Sequence, residues 1–385
     1  MKPRTTGAYG GCSTNRGVSD LSCVDIDHRH VYLHTGWRPI GSKWFYLHAG
    51  GAIGGGGVDD SIAVRLPSAL AAFRLPAPPT GERLHEAVRA SLRILDLTDS
   101  SRIVPVYAAI YRAVLGESDF SVHLAGQTGT FKTSIAALAM QHFGNKFDPR
   151  HLPAAWSGTA NANAELQFIL KDAPLLIDDF VPRGSRADID RLHRDADRIF
   201  RGQGNNAGRG RMARDTSLRE PKPPRGLTLS TGEEIPHGES LRSRIWISEF
   251  SPGDVNREIL TECQQDAGAG LYAEAMSGYL QWLAARYPKL GKWLRKSVVL
   301  YSKKATQDGQ HARTPEINCQ PDGWVPALFG VCQNRGRNFR TGIDAPPDRG
   351  LELPRPRFGR SNARFGRGRT SAAVPGPDCL CNRAW

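Results

Sequence analysis

Seven cysteines are spread over 385 residues, at 12, 23, 263, 319, 332, 379 and 381, and none forms a C-x-x-C pair. Neither a zinc-finger module nor a disulfide framework follows from that spacing. No uninterrupted apolar run approaches the roughly 20 residues of a membrane span, and the N-terminal residues lack the apolar stretch of a secretory signal. These absences predict a cytoplasmic chain with free thiols and no membrane partner. Acid residues are also in deficit. Against 51 Lys and Arg stand 38 Asp and Glu, a net charge of +13, which suggests a polyanionic partner such as nucleic acid.

Lysine is absent after Lys304, although Arg and Pro are frequent there. Residues 316–385 show almost no apolar periodicity and read as a disordered Arg/Pro-rich tail. Such a tail suits nucleic acid. Translation out of frame beyond Glu316 is the competing origin. Residues 1–28 carry no period either and read as disordered.

What is present centres on Val122-His-Leu-Ala-Gly-Gln-Thr-Gly-Thr-Phe-Lys-Thr-Ser, followed by an alanine-rich helical stretch. An apolar strand enters a glycine-containing turn, and a Lys-Thr-Ser step opens a helix. That order predicts a phosphate-binding loop, with Gly126, Gln127, Thr128, Gly129, Thr130, Phe131, Lys132, Thr133 and Ser134 cradling ATP. Lys132 reaches the β- and γ-phosphates, and the Thr133 hydroxyl takes Mg2+. The pattern departs from G-x-x-x-x-G-K-[ST] at Phe131, where glycine is usual. A turn without a ligand is the plainer alternative.

About forty residues on, Pro174-Leu-Leu-Ile-Asp-Asp-Phe reads as a buried parallel strand with two carboxylates at its tip. Asp178 is the second magnesium ligand and Asp179 the water-polarising base. A solvated strand end capping a helix is the alternative. A third strand, Gly226-Leu-Thr-Leu-Ser-Thr-Gly, ends in hydroxyls. Ser230 and Thr231 both qualify to orient a water, spacing does not choose between them, and a solvated strand end is an equal alternative. Gly238-Glu-Ser-Leu-Arg-Ser-Arg-Ile-Trp-Ile-Ser then places two arginines before an alternating strand.

Alternation of strands and helices predicts an α/β fold with a parallel sheet. Helices are expected over 81–94, from about 100 to Leu115, and over 133–143, 162–171 and 187–201. Strands are expected at 120–124, 174–178, 226–230 and 244–248. Upstream, Val31–Leu33 and Trp44–Leu47 read as strands joined by a hairpin connection at Arg38–Lys43. The glycines at 50, 51 and 54–57 read as a flexible turn. The predicted divisions are a partial β-rich N-terminal domain over 29–95, an ATPase core over 96–255 and a helical lid over 256–315. Within 201–225, Arg201, Arg209, Arg211, Arg214, Arg219, Lys222 and Arg225 form a basic Gly/Pro-rich segment. It is either a phosphate-gripping loop or a solvated surface.

Taken together, the loop without its third glycine, Leu-Leu-Ile-Asp-Asp-Phe and Leu-Arg-Ser-Arg-Ile-Trp resemble the ATPase core of minichromosome maintenance (MCM) helicases. They are more similar still to MCM-like AAA+ ATPases of phages and integrative mobile elements, which carry an N-terminal domain of unknown function. His34-Thr-Gly-Trp-Arg and Tyr46-Leu-His-Ala-Gly-Gly-Ala-Ile-Gly resemble that domain. The resemblance covers residues 29–315. It implies an AAA+ P-loop core with helices on both faces of the sheet, ATP hydrolysis with Mg2+, action on single-stranded DNA and a homo-oligomeric ring. In such a ring Arg244 acts as a finger reaching the neighbour's site. Most related ATPases have glutamate where this chain has Asp179. A nucleic-acid-binding protein with a degenerate nucleotide site and a P-loop small-molecule kinase are the competing functions.

Overall fold

The computed structural model describes residues 30–290, apart from 209 and 213. The expectations for residues 1–28, for the tail over 316–385 and for the lid beyond residue 290 lie outside the described residues.

The chain starts with β1 (Val31–Tyr32), β2 (Gly36–Ile40), β3 (Lys43–His48), β4 (Gly51–Gly54), β5 (Gly57–Asp59) and β6 (Ala63–Val64). Strands β2 to β5 form an antiparallel meander, while β1 pairs with β6 in parallel. Two expectations are corrected here. Arg38-Pro-Ile is strand rather than connection, with only Gly41 and Ser42 turning the hairpin. Pro39 fits because β2 is an edge strand, where a missing donor costs nothing. Gly51–Gly54, read as part of a flexible turn, is a fully buried strand.

Then come α1 (Gly81–Leu92), α2 (Ser100–Arg112), β7 (Ser121–Gly126), α3 (Lys132–Gln141), β8 (Ala154–Ala155), α4 (Ala160–Ile169), β9 (Pro174–Phe180) and α5 (Arg186–Gly204). A short hairpin of β10 (Arg211–Met212) and β11 (Leu218–Arg219) precedes β12 (Leu227–Gly232), α6 (Glu239–Arg242), β13 (Ile245–Phe250), α7 (Arg257–Gly268) and α8 (Leu271–Ala284). Side chains cap four of the helix starts. Asp99 accepts from Ser101 N–H, Thr159 from Ala162, Ser185 from Asp188, and Asn256 from Glu258 and Ile259.

Five strands build one parallel sheet in the order β13-β7-β12-β9-β8. The three central strands are buried along most of their length, as expected where both faces are covered. Because every strand runs the same way, their C-terminal ends share one edge. That edge collects Gly126, Asp178, Asp179, Thr231 and Phe250.

The N-terminal meander is fastened to this unit through Asp172. Its buried carboxylate accepts the Trp37 N–H at 2.9 Å and pairs with Lys171. Its carbonyl accepts the Tyr46 hydroxyl at 2.7 Å. Trp37 also donates its indole N–H to the Val114 carbonyl at 2.7 Å and stacks on Tyr287 at 4.4 Å. Gly36 has φ of +90°, and a Cβ there would lie 2.3 Å from the Lys171 carbonyl oxygen. One hydrophobic core therefore runs from Trp37 and Tyr46 through the parallel sheet to α8. No helix among the described residues is long and apolar enough to cross a membrane.

Four buried histidines are held neutral. Burial pushes His34, His48, His123 and His142 down from 6.5 to about 4. His142 donates from Nδ1 to the Leu138 carbonyl, and its Nε2 meets Ser91 Oγ at 2.9 Å. Between pH 6.5 and 4 the unfolded chain takes up protons at these rings and the folded chain does not. Stability therefore falls as pH falls through that window, by ~1.4 kcal/mol per pH unit for each ring. Urea midpoints recorded from pH 7 to 4 check this, and a flat profile would contradict it. Separately, Asp172→Ala leaves the Trp37 N–H unanswered in the core. It is expected to cost ~2–4 kcal/mol in urea unfolding.

Candidate nucleotide site

At the shared edge, β7 ends on Gly126, and α3 begins at Lys132 after a five-residue loop. Gly126 has φ of +151°, and a Cβ there would sit 2.2 Å from the Phe250 carbonyl oxygen. The loop thus lies directly against the tip of β13, an approach only glycine permits. Gly129 follows with φ of +87°. Gln127, Thr128 and Gly129 are exposed, whereas Thr130 and Lys132 are buried. Thr130 closes the turn by donating to the Gln127 carbonyl at 2.8 Å.

Phe131 explains why glycine is usual at its position. It adopts the left-handed conformation, φ +63° and ψ +16°, as the residue preceding α3. For a residue with a Cβ this costs on the order of 1 kcal/mol or more. The ring packs against the core, and the Arg257 guanidinium lies 5.4 Å from its centroid. That packing offsets the strain and joins the loop to the start of α7.

Lys132 Nζ donates to the Gln127 carbonyl at 2.7 Å and to Thr130 Oγ1 at 3.3 Å. Burial lowers its pKa, opposed by Glu233, Asp178 and Asp179. Its ammonium is thus held inside its own loop by oxygen acceptors. Thr133, one residue along α3, donates from Oγ1 to Asp178 Oδ1 at 3.1 Å. Ser134 is half-buried on the same first turn.

The acidic pair sits on a bulge. Ser230 pairs with Ile177 and Gly232 with Phe180, so β9 carries one residue more than β12 across this step. Asp179 absorbs it with φ of +66°. Its side chain is exposed, while Asp178 is half-buried. The neighbouring strand completes the arrangement. Thr231 donates its hydroxyl to the Asp178 carboxylate and accepts the Asp179 N–H at 3.1 Å. Ser230, the other candidate, is engaged elsewhere. It accepts the Trp156 indole N–H at 2.9 Å and lies 3.0 Å from His123 Nδ1. The structure therefore places Thr231, not Ser230, beside the carboxylates.

The residues fit a magnesium ion in chemical type, since a hard cation takes oxygen ligands and the Thr133 hydroxyl and Asp178 carboxylate adjoin. Glu233 is a site residue that the sequence reading missed. It accepts from the Thr128 hydroxyl of the loop and from Arg183, and the Thr128 bond holds its carboxyl below the usual range. Its only sequence signal is a carboxylate two residues beyond a strand-tip threonine. A cleft of about 460 Å³ opens between Glu233, Gln127, Phe250 and Arg242.

Arg244 is not brought to this site. It precedes β13, whose Ile245 pairs with Ser121 at the opposite end of the sheet from Gly126. Five residues of strand, ~17 Å at the usual rise, separate the two ends. There Arg244 donates to Ser240 Oγ at 2.8 Å and to Asn205 Oδ1 at 3.3 Å, against Gly204, where a Cβ would meet its Cδ at 2.5 Å. Of the basic segment, Arg201 is paired with Asp197 at 2.6 Å and Lys222 with Glu165 at 2.5 Å. Arg225 stacks on Phe168 at 4.0 Å. Arg214 and Arg219 remain exposed on the β10–β11 hairpin, beside Leu218 at 80% exposure and Met212 at 63%.

No protein-family model matches the chain, and neither does any curated protein. Among solved structures it is similar to an active helicase, SCCmec type IV Cch, with a TM-score of 0.50 and 14% identity. That match covers 80% of this chain and 57% of the helicase, so the chain spans little more than half its length. The C-terminal region of NrS-1 matches with a TM-score of 0.32 and 13% identity, over 65% of this chain and 55% of that one. A JCV helicase matches with a TM-score of 0.30 and 13% identity, over 60% and 67% respectively. The first likeness shows a helicase-like α/β fold.

Gly126→Ala tests the close approach of the loop to β13. The added methyl is expected to destabilise the chain by ~2–4 kcal/mol through overpacking against the Phe250 carbonyl. Urea unfolding measures it, and a loss below ~0.5 kcal/mol would place the loop off β13.

Proposed function

We propose that the chain is an ATP-hydrolysing motor of the MCM-like AAA+ type, acting on single-stranded DNA in the cytoplasm. The observation that carries this is the meeting of Thr133 and Thr231 on the Asp178 carboxylate, beside a lysine held in a glycine-containing loop. In this reading residues 96–255 are the ATPase core, 29–95 a partial N-terminal domain and 256–315 a helical lid. The mobile-element origin rests on the sequence resemblance, and the active-helicase description of the Cch structure agrees with motor function.

Backbone groups from Gly126 to Phe131, with Thr133 and Ser134 at the helix start, bind the phosphates of ATP. Lys132 exchanges its contacts with Gln127 and Thr130 for β- and γ-phosphate oxygens. Thr133 and Asp178 hold Mg2+, which supplies neutralisation of the charge that grows on the phosphate oxygens. Asp179, exposed on the bulge, orients the attacking water and takes its proton on a carboxylate oxygen. Thr231 fixes both aspartates, one by its hydroxyl proton and one by its lone pair.

Arg244 acts on the site of an adjoining subunit in a homo-oligomeric ring, because its own site lies at the other end of the sheet. An arginine fits there since its charge persists and its planar fork matches phosphate oxygens. Arg214 and Arg219 on the hairpin meet the DNA backbone. A binding protein with an inactive nucleotide site is the second reading, favoured by Phe131 in place of glycine.

Hydrolysis by wild type and Lys132→Ala, with and without single-stranded DNA, tests this. DNA-stimulated turnover that drops by at least about 100-fold in the variant is expected. Arg244→Ala is expected to be similarly inactive alone yet to recover part of its turnover when mixed with Lys132→Ala, because mixed rings rebuild some intact sites. Equal, basal turnover in all samples would select the binding-protein reading.

A further inference from the structure

His193 of α5 faces Glu234 and His237 of the β12–α6 connection, and one donor atom from each lies within 4.8 Å of the other two. The two imidazoles stack at 3.9 Å with their planes 11° apart. None of the three is among the residues proposed above to hold ATP or Mg2+. We propose that they form a binding site for a divalent transition ion, with zinc the best chemical match.

Two imidazoles and one carboxylate make a donor set suited to zinc and unsuited to magnesium or calcium, which take oxygen. Three protein ligands leave the fourth position to water. An ion has access, because Glu234 and His237 are exposed and line the 460 Å³ cleft. His193 Nε2 is shielded from solvent and has no hydrogen-bond partner, the condition of a donor awaiting an acceptor or an ion.

The backbone around Glu234 is fixed from behind. His123 Nε2 donates to the Glu234 carbonyl at 3.0 Å, while its Nδ1 accepts from Ser230. Closing the three donors onto one ion requires a tetrahedron edge of ~3.4 Å on bonds of ~2.1 Å. Imidazole lone pairs lie in the ring planes, so the exposed His237 ring also turns out of its stack on His193 for both nitrogens to face one ion. Coordination through His193 Nε2 puts the ring proton on Nδ1, which now accepts the His237 N–H at 3.3 Å. That long bond is the one given up. The bound ion would then tie α5 to the segment whose Glu233 holds Thr128 of the phosphate loop.

The test uses the full chain, stripped of metal, in excess Mg2+ so that oxygen-lined sites are occupied. Thermal unfolding is followed with and without Zn2+, and Co2+ is added separately for its visible spectrum. Wild type is expected to gain several degrees with Zn2+ and to bind Co2+ with the ligand-field bands of nitrogen and oxygen donors. His237→Ala and Glu234→Gln, both surface changes with folding checked by circular dichroism, are expected to lose at least tenfold in zinc affinity. Equal zinc shifts in wild type and both variants would overturn the proposal. So would no shift in wild type, or a cobalt spectrum dominated by thiolate charge transfer. None of these readouts depends on ATP turnover.

Discussion

A single carboxylate, Asp178, holds the edge of the sheet together. It accepts from Thr133 on α3 and from Thr231 on β12, and its neighbour's N–H is answered by that same threonine. These contacts exist because β12 lies between β7 and β9 in a ladder with one direction. Parallel pairing puts all C-terminal ends on one side, and a right-handed crossover needs a helix between successive strands. The loop after β7 and the acidic tip of β9 are then two strands apart, and β12 supplies the group that spans them. An antiparallel β12 would have sent Thr231 to the opposite edge.

The same edge concentrates backbone strain. Phe131 and Asp179 both occupy left-handed conformations, one opening α3 and the other absorbing a bulge. Neither is held by its own preference. Phe131 is held by its packing and by Arg257, and Asp179 by the ladder on either side of it. Strain of this kind gathers where a chain must aim groups at one point, and it persists only where the surroundings over-determine it.

Much of this was legible in the residues. The order of strand, glycine turn, Lys-Thr and helix placed α3 correctly, because that succession lies within one short stretch of chain. The place of the Asp pair near a strand tip was legible because a short apolar run ending in two carboxylates reads as a buried strand reaching an edge. Four features were not. Choosing Thr231 over Ser230 needed the positions of Trp156 and His123, which are distant in sequence. Glu233 needed the approach of Thr128, over a hundred residues away. The buried glycine strand Gly51–Gly54 was read as a turn because glycine composition signals flexibility, whereas its pairing with β3 and β5 settles it as strand. Lys222 and Arg225 looked available to a polyanion, but tertiary contacts with Glu165 and Phe168 claim them.

The left-handed Asp179 also sets two selection pressures against each other. It is exposed and loses little packing on replacement, so glycine there would relax the bulge and raise stability by about 1 kcal/mol. A variant library sorted only for heat resistance would therefore enrich glycine at 179 and discard the carboxylate. Phe131 would resist the same sorting, since the packing of its ring would be lost along with the strain. Heat tolerance in this chain is thus a poor guide to an intact phosphate edge, and sorting has to include ligand binding from the first round.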